Sequence, residues 1–311
     1  MPANKQYPPE GLRQQRSYTL NELKDAIEQH TILEGIVQRC DTDLNLHIQL
    51  GSVSAQIPRA EVVAPWMSGA ERDISVLSRV GKVTCFTVES LSSDGKGAPI
   101  ATLSRRKAQE QVMESFRKTL HPGVVLTGQI THLERFGAFV DIGCGIIAML
   151  PIEHISVSRI AHPRERFQVG QKILVAVSSF DQELMRIVLT HKELLGNWME
   201  NASLFSPGET VQGIVRSIKE YGTFIELTPN LSGLSDNRDD LVPGDNVSVF
   251  IKSIRPERMK IKLQIIEKIP QSGKPQQLHY QITDGELSRW CYSPPNYVGK
   301  AMETDFTVSD P

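Results

Sequence analysis

An aromatic side chain on the polar side of a strand is the first unusual feature of this sequence. In the segment ERFGAFVDIG, alternate residues of a strand would point to opposite faces. Ala138, Val140 and Ile142 then form an ordinary core face. Phe139 shares the other face with Asp141. A ring on a solvent-facing sheet can stack on another flat group, and this suggests a binding surface.

The same arrangement occurs twice in the chain. GQITHLERFGAFVDI and GIVRSIKEYGTFIEL both contain an aromatic residue, a glycine, a small residue and a phenylalanine in succession. The aromatic pairs are Phe136 with Phe139 and Tyr221 with Phe224. Recurrence at a matched position indicates a duplicated unit. It also makes a chance exposed phenylalanine a poor explanation.

Basic side chains complete the pattern in each copy. Each copy ends in a short strand, RIVLT opening on Arg186 and KIKLQ containing Lys260 and Lys262. Lys252 and Arg255 extend the basic edge of the later copy. Stacking of an RNA base on a fixed ring contributes roughly 1–3 kcal/mol, and nearby cations contact phosphates. The alternative is that the rings pack under a loop or against a neighbouring domain, since exposed apolar side chains are common.

A third, altered copy precedes these two. GIVQRCDTDLNLHIQLG keeps the inward alternation of a core strand over 44–50. Its outward positions hold Asn45, His47 and Gln49, with no aromatic residue, and Ile100 stands where the other copies have a basic residue. We therefore expect a retained core without the RNA-binding face.

The repeats predict a mainly all-β protein of three tandem five-stranded barrels. Each unit consists of short alternating segments divided by Gly, Pro and Asn, and closing such a sheet removes its exposed edges. The predicted boundaries are 1–30 for an N-terminal arm and helix, 31–106 for the altered barrel, 107–120 for a linker helix, 121–192 for the second barrel, 193–206 for a second linker helix, 207–268 for the third barrel and 269–311 for a C-terminal extension.

Helical segments are predicted outside the barrels. TLNE at Thr19 to Glu22 is a capping-box sequence that opens a helix ending near Gln29. RRKAQEQVMESFRKTL from Arg105 and HKELLGNWMENASLF from His191 have helical apolar spacing. They are expected to link the barrels.

The C-terminal extension is not a fourth copy. Two strands are predicted in it, near Leu278–Ile282 and Gly299–Phe306, on either side of an aromatic cluster with Trp290 and Tyr292. We expect this extension, including the two rings, to pack on the third barrel.

With these motifs in place, the units resemble the S1-type RNA-binding domain, the oligonucleotide-binding barrel repeated in bacterial ribosomal protein S1 and in its short Gram-positive homologues. The resemblance is strong over 121–195 and 207–268 and weak over 31–106. The family often has a histidine twelve residues after the second aromatic, where this chain has Pro151 and Asp236. That contact is not expected here. The resemblance implies that the RNA face consists of Phe136, Phe139 and Arg186 in one unit and Tyr221, Phe224, Lys260 and Lys262 in the other.

Composition limits the function classes. The formal net charge of −2 over 311 residues provides no global attraction for a polyanion, so any RNA site must be a local patch. The four cysteines lack metal-ligand spacing, and no apolar run reaches the roughly 18 residues of a membrane span. No metalloprotease, phosphate-loop or serine-hydrolase motif occurs. We expect a cytoplasmic protein that is not an enzyme, with no catalytic residue, metal, cofactor or membrane partner.

The resemblance implies a non-catalytic protein that binds single-stranded mRNA in translation through the second and third barrels. The first barrel would then dock on the small ribosomal subunit or on a ribosomal protein. Two alternatives remain open: a ribosome-free RNA chaperone or decay accessory, and a protein-interaction scaffold that uses the same barrel faces. Near-neutral charge favours the scaffold, and the repeated ring-and-cation face opposes it. Salt separates them, because only RNA binding must weaken as salt rises.

Overall fold

The computed structural model describes residues 7–12, 17–67, 72–93, 95, 97–270 and 278–307. Over these residues the chain forms three closed five-stranded barrels, as the sequence predicts. Barrel one contains β1 (Leu33–Cys40), β2 (Leu46–Leu50), β3 (Val53–Ile57), β4 (Val83–Ser93) and β5 (Pro99–Ser104). Barrel two contains β6 (Val125–Glu134), β7 (Gly137–Asp141), β8 (Ile147–Pro151), β9 (Lys172–Asp181) and β10 (Arg186–Thr190). Barrel three contains β11 (Thr210–Lys219), β12 (Gly222–Thr228), β13 (Leu231–Ser235), β14 (Asn246–Arg255) and β15 (Lys260–Ile269).

All three barrels have the same strand order. In each, the first three strands form an antiparallel meander, the fourth pairs with the first, and the fifth closes the barrel between the third and fourth. The pairing of third and fifth strands is parallel in every barrel. This shared topology includes barrel one, so the altered copy has kept its fold.

The glycine that opens each copy is required by packing. A Cβ at Gly128 would lie 2.3 Å from the Val140 side chain, and one at Gly213 would lie 2.5 Å from Ile225. Gly35 meets Ile48 in the same way at 2.8 Å. The first strand thus crosses directly over a core residue of the second, and each barrel closes around a tightly packed interior.

Helices lie before, within and between the barrels. α1 (Leu20–Glu28) begins with the predicted capping box and ends at Gln29, its C-cap. α3 (Arg105–Thr119) buries Val112 and Phe116 in the barrel-two core. Helix α2 (Ile74–Leu77) is a short turn within barrel one. No helix of the described part of the chain is long and apolar enough to span a membrane.

The second linker is not one continuous helix. A 3-10 turn at Lys192–Leu195 is followed by α4 (Trp198–Ala202), and Asn197 caps α4. Gly196 separates the two with a φ of +84°, a conformation that ends the first turn. Other 3-10 turns lie at Arg59–Glu61, Ile152–His154, Pro163–Glu165 and Pro256–Arg258.

The extension forms a two-stranded sheet of β16 (Arg289–Cys291) and β17 (Glu303–Asp305). β17 lies within the predicted Gly299–Phe306 segment. The predicted strand at Leu278–Ile282 is wrong: the Gln281 N–H donates to the carbonyl of Leu194 in the linker, at 2.8 Å, and joins no strand ladder.

The aromatic cluster of the extension packs as expected. Trp290 and Tyr292 are buried in the barrel-three core cluster. The Tyr292 hydroxyl donates to the Asn230 carbonyl at 2.5 Å. These two rings are therefore part of the core and are not a further exposed stacking surface.

Candidate nucleic-acid interface

The predicted aromatic pairs have the same geometry in barrels two and three. Phe136 lies in the two-residue turn between β6 and β7, and Tyr221 lies in the equivalent turn between β11 and β12. They are 54% and 70% exposed. The ring centroids of Phe136 and Phe139 are 6.0 Å apart with an interplanar angle of 88°. Those of Tyr221 and Phe224 are 5.9 Å apart at 89°. This edge-to-face contact is a favoured aromatic geometry, and it fixes two ring faces in different orientations.

The glycine within each aromatic pair has a structural role. A Cβ at Gly137 would lie 2.4 Å from the Leu150 carbonyl oxygen, and one at Gly222 would lie 2.7 Å from that of Ser235. Both glycines are buried. Close approach of the third strand therefore requires glycine at both positions.

The second aromatic residue of each pair, Phe139 or Phe224, is here called the inner ring. A row of outward side chains crosses each barrel at its level. In barrel two, Phe139 pairs with Met149, which pairs with Val188. In barrel three, Phe224 pairs with Leu234, and Leu234 with Lys262. Paired residues point to the same face, so each row is a continuous strip about 10 Å across. We call these strips the platform rows.

Barrel one has a polar platform row. His47 occupies the position of the inner ring and pairs with Gln56, which pairs with Thr102. The His47 imidazole lies 2.8 Å from Asp41, which holds it at the sheet surface. This row offers hydrogen bonds but no stacking surface beyond one imidazole.

The predicted cations lie on the same face as the rings. Arg186, Lys260 and Lys262 are exposed, and the described residues include no hydrogen-bond or ion-pair partner for their side chains. Cross-strand neighbours differ, however: Arg186 pairs with Asp181, and Lys260 pairs with Arg255. Barrel three therefore presents the stronger positive potential.

One residue pair differs from expectation. Asp141 and Glu226 follow the inner rings on the outward faces of β7 and β12, and the sequence places them in solvent. Both are buried, because each is covered by a contact with preceding parts of the chain. Asp141 and Glu226 lie two residues along their strands from the inner rings. We call the row of side chains at this level the junction row.

The N-terminal arm covers Asp141. Its carboxylate accepts from the backbone N–H of Glu10, Gly143 and Gly145 at 2.9–3.0 Å. Burial and then the nearby Glu10 carboxylate raise the pKa of Asp141 to about 7. Glu10 is bound by Arg105 at 2.7 Å and by Arg79 at 2.6 Å. Burial opposes ionisation of Glu10, but the two guanidinium groups outweigh it and hold its pKa well below the ordinary value.

A loop of barrel two covers Glu226. The Arg166 side chain, 1% exposed, donates to the Glu226 carboxylate at 2.5 Å. Arg216 donates to both oxygens of Glu226, at 2.7 and 3.1 Å, and also contacts Glu165. Burial lowers the pKa of Arg166, and the Glu226 charge opposes that effect. Equivalent acids thus anchor a preceding part of the chain on each barrel: the N-terminal arm on barrel two, and the loop of barrel two on barrel three.

Two residues of the interface, His132 and Arg135, were not predicted from the sequence. The His132 ring centroid lies 6.1 Å from that of Phe139, because a bulge between Ile130 and His132 shifts the register of β6. Arg135 is exposed beside Phe136 in the turn. The position of Arg135 in the turn beside Phe136 could have indicated this residue. The bulge that brings His132 near Phe139 cannot be recognised from the alternation of the sequence.

Comparison with known proteins assigns the class of this site. Residues 119–192, which include all of barrel two, match the S1 RNA binding domain family. Barrel two is thus an S1 RNA-binding domain.

About three fifths of the chain is similar to small ribosomal subunit protein bS1. It is 33% identical over 206 residues to the Leuconostoc lactis protein, covering 60% of this chain and 46% of the relative. It is 30% identical over 215 residues to that of Staphylococcus aureus strain COL, covering 64% and 53%. The chain spans about half the length of these curated relatives.

A solved multidomain protein with nucleic acid binding domains from Streptococcus pneumoniae TIGR4 aligns over 76% of this chain and 73% of its own. Its sequence identity is 14% and its TM-score 0.26. This likeness adds nothing to the assignment.

Proposed function

We propose that the protein binds single-stranded RNA through barrels two and three and acts in translation without catalysing a reaction. The observation that carries this proposal is the duplicated edge-to-face ring pair, with exposed cations on the same face. Two rings at right angles provide faces for successive bases, and stacking does not depend on base identity. The expected ligand is therefore unstructured mRNA with little sequence preference, and the expected location is the cytoplasm.

Two barrels on one chain raise the affinity of a longer RNA. Each platform row holds a small number of nucleotides, so each site alone is weak. When one barrel has bound, the other meets the same strand at a high effective concentration. RNA long enough to reach both barrels should thus bind more tightly than a short oligonucleotide.

Fluorescence anisotropy of a labelled pyrimidine-rich RNA tests this function. We expect Tyr221→Ala with Phe224→Ala to weaken binding by about 1–3 kcal/mol for each stacked base lost. The matched control is Met199→Ala with Leu204→Ala, which removes exposed apolar side chains from the linker region. Equal affinities for the ring variant and this control would rule out the rings as base platforms.

Barrel one is proposed to dock on the small ribosomal subunit or on a ribosomal protein. Its platform row lacks the aromatic pair, and the named relatives are small-subunit proteins. Co-sedimentation with small subunits tests this role. A chain that sediments equally without barrel one would refute it, and a wild-type chain that binds RNA without sedimenting would indicate the ribosome-free alternative.

A further inference from the structure

The loop of barrel two between β8 and β9 lies along the junction row of barrel three. At one end, the Ser158 hydroxyl bonds the Ser232 hydroxyl on β13 at 2.7 Å. At its other end, Arg166 binds Glu226 on β12. The preceding residue, Glu165, contacts Arg216 on β11. The segment 158–166, here called the wall loop, therefore contacts three neighbouring strands at the level of Glu226, two residues after Phe224.

The wall loop is held in place by its own hydrogen bonds. His162 caps the 3-10 turn at Pro163–Glu165, and its ring nitrogen accepts from the Arg164 N–H at 3.1 Å. The Glu165 carboxylate accepts from the N–H groups of Ala161 and His162 at 2.7 and 3.1 Å. A segment fixed in this way costs little further ordering when a ligand binds.

The loop brings unpartnered cations to barrel three. Arg159 and Arg164 are exposed, and neither side chain has a partner among the residues that the structure describes. Ser158, the residue before Arg159, bonds Ser232. Ser232 lies two residues before Leu234, and Leu234 pairs with Lys262. Lys260 lies the same two residues before Lys262, so Arg159 and Lys260 both lie at the level of the junction row.

Like charges brought together in this way predict an anion site. Around the junction row, basic side chains outnumber acidic ones although the whole chain has a net charge of −2. Both acids are already bound to arginines. The basic members are Arg159, Arg164, Arg166, Arg216 and Lys260, and the acidic members are Glu165 and Glu226.

We propose that the wall loop of barrel two forms one side of the RNA site of barrel three. Arg159 and Arg164 contact phosphates of the nucleotides whose bases stack on Tyr221 and Phe224. This inference rests on the proposed function. It makes the site a composite of two barrels, so an isolated barrel three would bind RNA more weakly than the same barrel within the full chain.

Salt titration of RNA binding by the full chain tests this inference. The logarithm of the affinity falls with the logarithm of salt by about 0.7 for each phosphate contacted in a single strand. Replacing Arg159 and Arg164 with glutamine should therefore reduce the slope by about 1.4. Between 50 and 200 mM salt, wild type would then lose about sevenfold more affinity than the variant.

Two controls accompany that variant. Lys24→Gln with Lys118→Gln removes two exposed charges from α1 and α3 and should leave the slope unchanged. Arg159→Lys with Arg164→Lys keeps the charge and should retain most of the slope.

The outcomes separate the two proposals. If wild type does not bind RNA, the proposed function fails and the wall loop fails with it. If wild type binds and the glutamine variant has an unchanged slope with folding intact, only the wall loop is refuted.

Discussion

Glu226→Gln should destabilise barrel three strongly. The Glu226 side chain is fully buried and faces Arg166, 1% exposed, and Arg216, 9% exposed. Glutamine keeps the volume and one acceptor but removes the charge that neutralises Arg166. Breaking a buried ion pair at one partner costs about 3–5 kcal/mol, because an uncompensated charge remains. Arg216 retains Glu165, so Arg166 should account for most of the loss.

Tryptophan fluorescence during denaturant unfolding provides the assay. Two of the three tryptophans, Trp198 and Trp290, lie in the barrel-three core cluster, so most of the signal follows this barrel. The double variant Glu226→Gln with Arg166→Met removes both partners and should recover part of the stability. A loss below about 1 kcal/mol for Glu226→Gln, outside the range for buried pairs, would refute the reasoning.

Asp141→Asn is the matched control at the equivalent position. The Asp141 carboxylate accepts three backbone hydrogen bonds, and among the residues that the structure describes no arginine is hydrogen-bonded to it. Its pKa is raised to about 7, so it is largely protonated below neutrality. The neutral amide therefore resembles its protonated form, and the loss should be smaller than for Glu226→Gln. A larger loss at Asp141 would contradict this assignment of roles.

Three further predictions, made with four substitutions, concern other parts of the structure. Val188→Lys adds a cation to the platform row of barrel two and should steepen the salt slope of RNA binding by about 0.7, whereas Lys262→Val should reduce it by the same amount; unchanged slopes would exclude these rows from the RNA face. His191 is buried, which lowers its pKa from 6.5 to about 4. The unfolded chain therefore takes up the proton first, and wild type should lose up to about 3 kcal/mol as pH falls from 6.5 to 4. His191→Asn should flatten that dependence, and an unaltered pH profile would show that other groups control it. Tyr292→Phe leaves the Asn230 carbonyl without its donor and should cost about 1–3 kcal/mol in unfolding followed by Trp290 fluorescence; wild-type stability would contradict docking of the extension through this bond.

The barrels and their rings could be predicted because their signals are local and repeated. Alternation along one strand separates Phe139 from Val140, and two copies establish the register without knowledge of the partner strand. The leading glycines mark close strand crossings, and the capping box at Thr19 depends on residues only three apart. Each of these features is set by a few consecutive residues.

The junctions could not be predicted because they depend on distant segments. Nothing near Asp141 in the sequence indicates that Glu10 will cover it, and nothing near Glu226 indicates Arg166. Alternation assigns both acids to the solvent face, and only the packing of whole barrels buries them. The strand predicted over 278–282 is wrong for a similar reason. The Gln281 N–H donates to a carbonyl of the distant linker and not to a neighbouring strand.

Photo-cross-linking tests most directly whether RNA bases stack on the two aromatic pairs. A single-stranded RNA containing 4-thiouracil would be irradiated with the full chain, and the modified peptides would be identified by mass spectrometry. Base stacking on the rings predicts adducts in the peptides containing Phe136 with Phe139 and Tyr221 with Phe224, and none at His47 in barrel one. Adducts concentrated on barrel one, or RNA bound without adducts at either ring pair, would contradict the account.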